Sequence, residues 1–386
     1  MDDILFFDYN QKSSILLLFF FNAMVFTFLL VKTGMERRNK SNFWLAAFTF
    51  LGGLYISPFM CGYGGWYTIK AYREFLFFMP LQQLFLIGPV LYFYMRSLLD
   101  GNFEFRRKHL LHFIPAILYL MYSAVVFVTD VWILDAFYFY ADGRDKDLDF
   151  WYQFAGLISM LCYLALGVQH YRNYRKAIVQ EVSFAEDITF KWANRFMLAF
   201  GAILILRVLF FILNPEWGQF GSKYWYYLCF SVLCFYIGLS GYANSLKTVI
   251  PFTLDGVGEI ETVQESTKES SESTIWKEKI DDLFEKKAIY KDPGLTLSDV
   301  ASRLGTNRNI VSQTINREFE LNFNDYVNRQ RAQAVIRRLE GGQHAHTTLL
   351  GIALECGFNS KSTFNRAFKR LTGLTPNHYI KVHQLQ

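Results

Sequence analysis

Cysteine is scarce in this chain, five in 386 residues, and no two cysteines have the Cys-x-x-Cys spacing. A thiolate metal site or redox dithiol therefore has no support, and the five read as small apolar side chains. Also missing are a Walker-type phosphate loop, a dinucleotide fingerprint, a nucleophile elbow and a zinc-protease helix. Kinase, receiver and transporter signatures are absent as well. His109 and His112 stand three apart but lack an acidic neighbour in sequence, so they read as interfacial histidines rather than metal ligands. His344 and His346 are weaker still as ligands, and the acidic stretch from Asp142 to Asp147 lacks the full calcium-loop pattern. No catalytic residue, metal or cofactor is expected, and the chain reads as something other than an enzyme.

What the chain has instead is apolar and aromatic mass: 52% hydrophobic, with 40 Phe and 23 Tyr. That mass is uneven. Residues 1–254 hold seven long apolar runs: Ser14–Val31, Phe43–Met60, Phe75–Met95, Leu110–Thr129, Trp151–Gln169, Trp192–Leu213 and Tyr224–Tyr242. Each is near the length of helix that crosses a hydrocarbon core of about 30 Å. Acidic Asp2, Asp3 and Asp8 precede the first run and no small-residue cleavage site follows, so it reads as a retained membrane helix and not a signal peptide. Trp44, Trp66, Trp132, Trp151, Trp192, Trp217 and Trp225 lie near the ends of runs, as interfacial anchoring predicts.

Lys and Arg are distributed asymmetrically between the loops. The side reached after the first, third, fifth and seventh runs carries 14 of them, and the opposite side 6. The positive-inside rule then puts the N-terminus outside and the C-terminus in the cytoplasm of a multi-pass protein of the inner membrane. Beyond residue 254 the composition changes. Residues 255–273 carry six acids and one lysine among Ser, Thr and Gly, the composition of a flexible tether. Residues 274–386 carry 17 Lys and Arg against 11 Asp and Glu, a net +6 that suits a polyanion.

Within this basic part, Ile352-Ala353-Leu354-Glu355-Cys356-Gly357-Phe358 has helix-turn-helix spacing: a small residue for close helix crossing, then a glycine for the turn. Phe364, Phe368 and Leu371 follow as one buried helix face. The opposite face carries Lys361, Ser362, Asn365, Arg366 and Lys369, which suit phosphates and base edges. The pattern occurs 52 residues earlier as Ala301 to Gly305, with Val311, Ile315 and Phe319 opposite Arg308, Asn309, Ser312, Gln313 and Asn316. A first amphipathic helix around Ile275–Phe284 precedes it, Thr296 and Asp299 make a capping-box start, and Asp325–Leu339 forms a long connector. Thr347 or Thr348 caps the entry to the second unit.

The two units, the segment Asn322–Arg331 and the terminal Thr372–Tyr379 closely resemble the AraC/XylS family of transcription regulators, over roughly residues 275–383. Gly351 departs from the polar helix former usual in that family, and Ile380 from its usual basic residue. The resemblance implies a bacterial DNA-binding transcription regulator, an activator that works with RNA polymerase at an operator of double-stranded DNA.

The expected fold is all-α: a polytopic seven-transmembrane-helix bundle (1–254) in membrane lipid, a flexible acidic linker (255–273), and an all-helical AraC-like domain with two helix-turn-helix units (274–386). Arg207 lies deep in an apolar run, where a charge costs on the order of 2.5–3.5 kcal/mol unless it faces a polar interior. With Gln82 and Gln83 it forms a site for an unknown signal ligand, or it is a structural arginine satisfied by backbone carbonyls, by Gln83 or by another polar partner. An intramembrane enzyme or transporter with an accessory DNA-binding domain is the alternative. A 19-residue flexible tether spans roughly 22–26 Å and transmits rotation poorly, so the expected coupling is by proximity of DNA domains in a homodimer. Topology is directly testable. A reporter active only outside the cytoplasm should be active when fused after Asp145 and silent after Pro251; the reverse pattern would overturn both the orientation and the DNA-binding reading.

Overall fold

The computed structural model describes residues 7–143, 145–185, 191–213, 223–246, 269–342 and 347–383. The tether residues 255–268, Arg144, Trp217, Lys247, Pro251, His344 and His346 lie outside the described residues. Fifteen α-helices form the described fold. Among the described residues there is no strand, only an isolated antiparallel bridge between Val182 and Thr296.

The chain divides into two compact units, Met1–Tyr171 with Phe190–Thr253, and Arg172–Thr189 with Leu254–Gln386. The first holds α1 (Gln11–Glu36), α2 (Lys40–Tyr63), α3 (Lys70–Phe78), α4 (Leu84–Leu99) and α5 (Ile114–Phe127). It also holds most of α6 (Phe150–Glu181), with α7 (Lys191–Leu213) and α8 (Tyr224–Ser245). Among the described residues six helices are long and apolar enough to cross a membrane. Helix α2 is the central one, packed on α1, α4 and α8. Helix α1 turns Leu18, Phe21 and Phe28 outward at 59%, 64% and 68% exposure, a face suited to lipid rather than water. Trp132, Trp151 and Trp225 are exposed, but Trp192 is buried and donates its indole N–H to Tyr94.

The third expected span is broken. Residues 75–95 form the end of α3 and most of α4, with Met79–Gln83 outside either helix. The cause is local: the ring of Pro80 disfavours helical backbone at the preceding residue, and Met79 is extended, with ψ 112. Helix α4 has 16 residues, about 24 Å of helix, short of the hydrocarbon thickness.

The second unit holds the last turns of α6, α9 (Glu269–Glu285), α10 (Leu297–Leu304), α11 (Arg308–Glu318), α12 (Phe323–Glu340), α13 (Leu349–Glu355), α14 (Lys361–Thr372) and α15 (Pro376–Val382). Helix α9 begins at Glu269, inside the stretch whose composition reads as tether. Asp292-Pro293-Gly294 does not end α9 directly; a short 3-10 turn, Ile289–Lys291, intervenes. One apolar core joins Ile280 and Phe284 to Val311, Ile315, Tyr326, Ile352, Phe364 and Phe368.

Each reading helix starts on a side-chain cap. Thr296 and Asp299 close a reciprocal capping box on α10. Asn307, Asn322, Thr348 and Ser360 accept backbone N–H groups at the starts of α11, α12, α13 and α14. Such caps contribute about 1 kcal/mol each. The departures at Gly351 and Ile380 have local reasons. A Cβ on Gly351 would sit 2.9 Å from the Thr347 methyl, and Ile380 packs against the core.

The two glycines of the turns are not equivalent. Gly305 (φ +66) has open space where a Cβ would point, whereas a Cβ on Gly357 (φ +94) would run into the carbonyl oxygen of Tyr290 and the backbone of Lys291. Gly305→Ala should cost only the left-handed penalty of about 1–2 kcal/mol, and Gly357→Ala distinctly more. Hydrogen exchange in the full chain checks this: protection should fall further in α13 and α14 for the second variant than in α10 and α11 for the first. Equal losses would contradict the close approach at Gly357.

Candidate functional site

In both helix-turn-helix units the residue after the glycine donates its N–H back to the alanine that opens the motif. Thr306 bonds to Ala301 O at 3.0 Å and Phe358 to Ala353 O at 3.1 Å. The small alanine leaves room for the crossing helix, so the same hydrogen bond closes both turns. Each second helix is thereby anchored by one apolar face: Val311 and Ile315 in α11, Phe364 and Phe368 in α14, all buried. The anchoring turns the opposite faces outward. Asn309, Gln313 and Asn316 are exposed on α11, and Lys361, Ser362, Asn365, Arg366 and Lys369 on α14.

Two expected reading residues are only half-exposed, Ser312 and Arg308. The Arg308 guanidinium lies 3.5 Å from the carboxylate of Glu181, at the end of α6. Nearby basic residues are engaged elsewhere: Arg370 pairs with Asp325 at 2.6 Å, and Arg338 pairs with Glu355. The exposed groups form two polar helix faces, amides on α11 and amides with ammonium and guanidinium groups on α14, and such groups suit base edges and phosphates respectively.

Sequence reasoning missed one buried group in this unit. Arg331, 1% exposed, lies on α12 facing Asn324 and Asn328. Its Nε donates to Tyr290 O at 2.8 Å and its Nη2 to Asp292 O at 2.7 Å. In the sequence it is marked only by standing on one helix face with Asn324 and Asn328, at i, i+4 and i+7.

The first unit contains a second cluster, around the interruption between α3 and α4. Gln82 is fully buried there: its N–H donates to Asp147 at 2.9 Å, and its Nε2 to Tyr55 O and Tyr227 OH at 3.2 Å each. Gln153 donates to the Gln82 side-chain oxygen at 2.9 Å. Arg207 donates from Nη2 to Gln153 Oε1 at 2.7 Å and to Gln153 O at 3.0 Å, and from Nη1 to Tyr55 OH at 3.4 Å. Gln83 is not a partner of Arg207; its amide folds back onto Pro80 O, because the unwound backbone leaves that carbonyl unpaired by the helix. Arg207 also borders a pocket with Phe48, Ile87, Phe200 and Tyr226, with room for about one water molecule. The two histidines make local hydrogen bonds: His109 Nδ1 accepts from Arg106 N–H at 3.0 Å, and His112 Nδ1 shares a hydrogen with Tyr163 OH at 2.8 Å.

Comparison with known proteins bears on the second unit. Residues 300–381 match the family model described as a helix-turn-helix domain. The melibiose operon regulatory protein of Escherichia coli (strain K12) is 31% identical over 93 residues, 24% of this chain and 30% of that protein. The HTH-type transcriptional regulator Rv1931c of Mycobacterium tuberculosis (strain ATCC 25618 / H37Rv) is 41% identical over 56 residues, 14% of this chain and 20% of that protein. The chain thus covers less than a third of the length of these curated relatives. No solved structure matches the chain significantly.

Two buried carboxyls between Ile133 and Phe150 generate a pH prediction. Burial pushes Asp147 up to about 6, although Tyr119 and the Gln82 N–H both donate to it. Burial, and then the charge of Asp147, hold Asp145 well above the usual carboxylate range. A carboxyl whose folded value exceeds its unfolded value stabilises the fold fully below about pH 4, and that contribution is lost as pH rises through about 6. The thermal midpoint of the detergent-solubilised protein should therefore be higher near about pH 5 than near about pH 7.5, on the order of 1–3 kcal/mol in stability. Asp147→Asn should narrow the difference. An unchanged pH dependence in that variant would refute the assignment.

Proposed function

We propose that this chain, whose C-terminal unit carries an AraC-type helix-turn-helix domain, is a membrane-integral one-component transcription regulator. The helix-rich apolar unit lies in the inner membrane with its N-terminus outside, and the DNA-binding unit faces the cytoplasm. The observation that carries this reading is the pairing, twice in one unit, of a buried apolar helix face with an exposed polar face, amides on α11 and amides with cations on α14. The opposite Lys and Arg excess in the loops supports the orientation. The regulators named among its relatives support transcription control as the output.

In this reading the cluster of Arg207, Gln153, Gln82 and Tyr55 is the part of the membrane unit that responds to a signal. A buried charge held by one hydrogen-bond network is sensitive to any change of packing that would leave it unpaired. The DNA-binding units act on an operator as a pair, with a second copy of the chain, and RNA polymerase is the partner at the promoter.

The test is base readout by the full chain in lipid nanodiscs, using selection from random duplexes. Asn309, Gln313, Asn365 and Arg366, each changed to alanine, should alter preference at one or two positions, by about 1–3 kcal/mol. Lys361→Ala and Lys369→Ala should weaken all sequences alike and lower the salt dependence by about one charge each. Equal loss on every sequence from Gln313→Ala and Arg366→Ala would count against direct readout.

A further inference from the structure

Helix α6 is 32 residues long, about 48 Å at 1.5 Å per residue, well beyond a hydrocarbon core of about 30 Å. Its last turns, with Arg172, Arg175 and Lys176, group with the DNA-binding unit, as does the stretch that follows. That stretch is not loosely placed. Val182, Ser183 and Ala185 are 3%, 0% and 1% exposed.

The contacts are those of a fitted segment. Val182 bridges Thr296 as a single antiparallel pair, and the Ser183 N–H donates to Leu295 O at 3.1 Å. On the other side, three residues of α12 bond to Val182 and Ser183. Asn324 donates to Val182 O and Asn328 to Ser183 O, both at 3.3 Å. Arg331 donates to Ser183 O at 3.4 Å and to Ser183 Oγ at 3.0 Å. The main-chain oxygens of Val182 and Ser183, just past the end of the helix, are both met by side chains of α12. One residue earlier, Glu181 holds Arg308, the first residue of the reading helix α11.

We propose that residues 181–185 are a latch, a built-in partner of the DNA-binding unit whose seat is Asn324, Asn328 and Arg331, and that it competes with DNA for Arg308. An arginine paired with a carboxylate is not available to a phosphate or a base edge, and an acid beside the reading helix repels the duplex. The docked and DNA-bound forms therefore oppose each other, and by linkage each weakens the other by the same factor. The latch begins at Glu181, the last residue of α6, so a change that moves or unwinds the end of that helix changes DNA affinity. This rests on the proposed DNA-reading role of α11.

The experiment uses the full chain in phosphatidylethanolamine and phosphatidylglycerol nanodiscs, with a fluorescent mixed-sequence duplex as probe. Val182→Asp breaks the seat, and should tighten binding by roughly fivefold or more, within the usual range of coupling. Plain electrostatics predicts the opposite, since the variant adds a negative charge. Glu181→Gln, which keeps the shape, should tighten binding more modestly. Unchanged or weaker binding by Val182→Asp overturns the proposal. Maleimide labelling of Ser183→Cys, read by peptide mass spectrometry, gives a second measurement. Labelling should be slow without DNA and faster with saturating duplex; a rate without DNA equal to that of the exposed Ser302→Cys overturns the docking. Protection of Ser183→Cys with no DNA binding by any variant refutes the DNA-reading role, and the gating with it, so the two failures are distinguishable.

Discussion

A break in a helix surrounded by apolar side chains must have its freed N–H and C=O groups met by other polar groups, because neither lipid nor packed hydrocarbon supplies any. Pro80 creates that break, and much of the polar interior of the first unit is arranged around it. The Gln82 N–H is met by Asp147, its carbonyl oxygen by Tyr152, and the Leu84 N–H by the same tyrosine oxygen. Once Gln82 is fixed, its side chain sets Gln153, and Gln153 offers both its carbonyl and its amide oxygen to Arg207. The arginine is thus accommodated through a backbone defect near Pro80. Replacing that defect by regular helix would strand several polar groups at once, which makes the cluster a cooperative unit and not a set of separate bonds.

The second unit solves a similar problem in water. Its helices are short, α10 with 8 residues and α13 with 7, and helices of that length are unstable alone. Caps at their N-termini and glycine turns at their ends satisfy the backbone, while the shared core supplies the burial. Arg331 does for this unit what Arg207 does for the other: a charge taken out of solvent and surrounded by carbonyl oxygens. Such groups contribute little net stability but discriminate strongly against alternative packings, since any other arrangement leaves a buried charge unpaired.

What was legible in the sequence follows from the range of the interactions involved. The helix-turn-helix units depend on neighbours three to seven residues apart, so Ala353, Gly357, Phe364 and Phe368 reveal the fold by spacing. The Thr296–Asp299 box is legible for the same reason. The broken third span is half-legible: Pro80 and Pro89 announce an irregularity, but Pro89 sits inside α4 and only Pro80 ends a helix. Nothing in a single sequence separates the two. That Arg207 meets a backbone carbonyl was expected, but that the residue is Gln153 was not legible, because Gln153 lies 54 residues away and is one polar residue among many at helix ends. Val182-Ser183 was hidden for the opposite reason. It looks like an ordinary loop, and only the side chains of α12, more than 140 residues later, give it a place.

That hidden segment changes how coupling is to be argued. A composition reading of residues 255–273 leads to a soft tether and so to control by proximity alone, because a flexible chain carries no torque. Helix α9 already begins at Glu269, which shortens the stretch left to act as a tether. Helix α6 offers a different connection, since regular helix transmits displacement along its axis where a flexible chain does not. Coupling through it needs a local element with two arrangements that both the membrane unit and DNA bias. Seated and unseated forms of residues 181–185 supply such an element. The seat's hydrogen bonds run from 3.0 to 3.4 Å within a buried segment, whereas the Glu181–Arg308 pair is partly open to solvent. That pair is the modest contact, on the scale of exposed ion pairs, and the charge-assisted bonds from Arg331 are the stronger ones. A seat held by a handful of such contacts is one that a few kcal/mol of differential binding can throw.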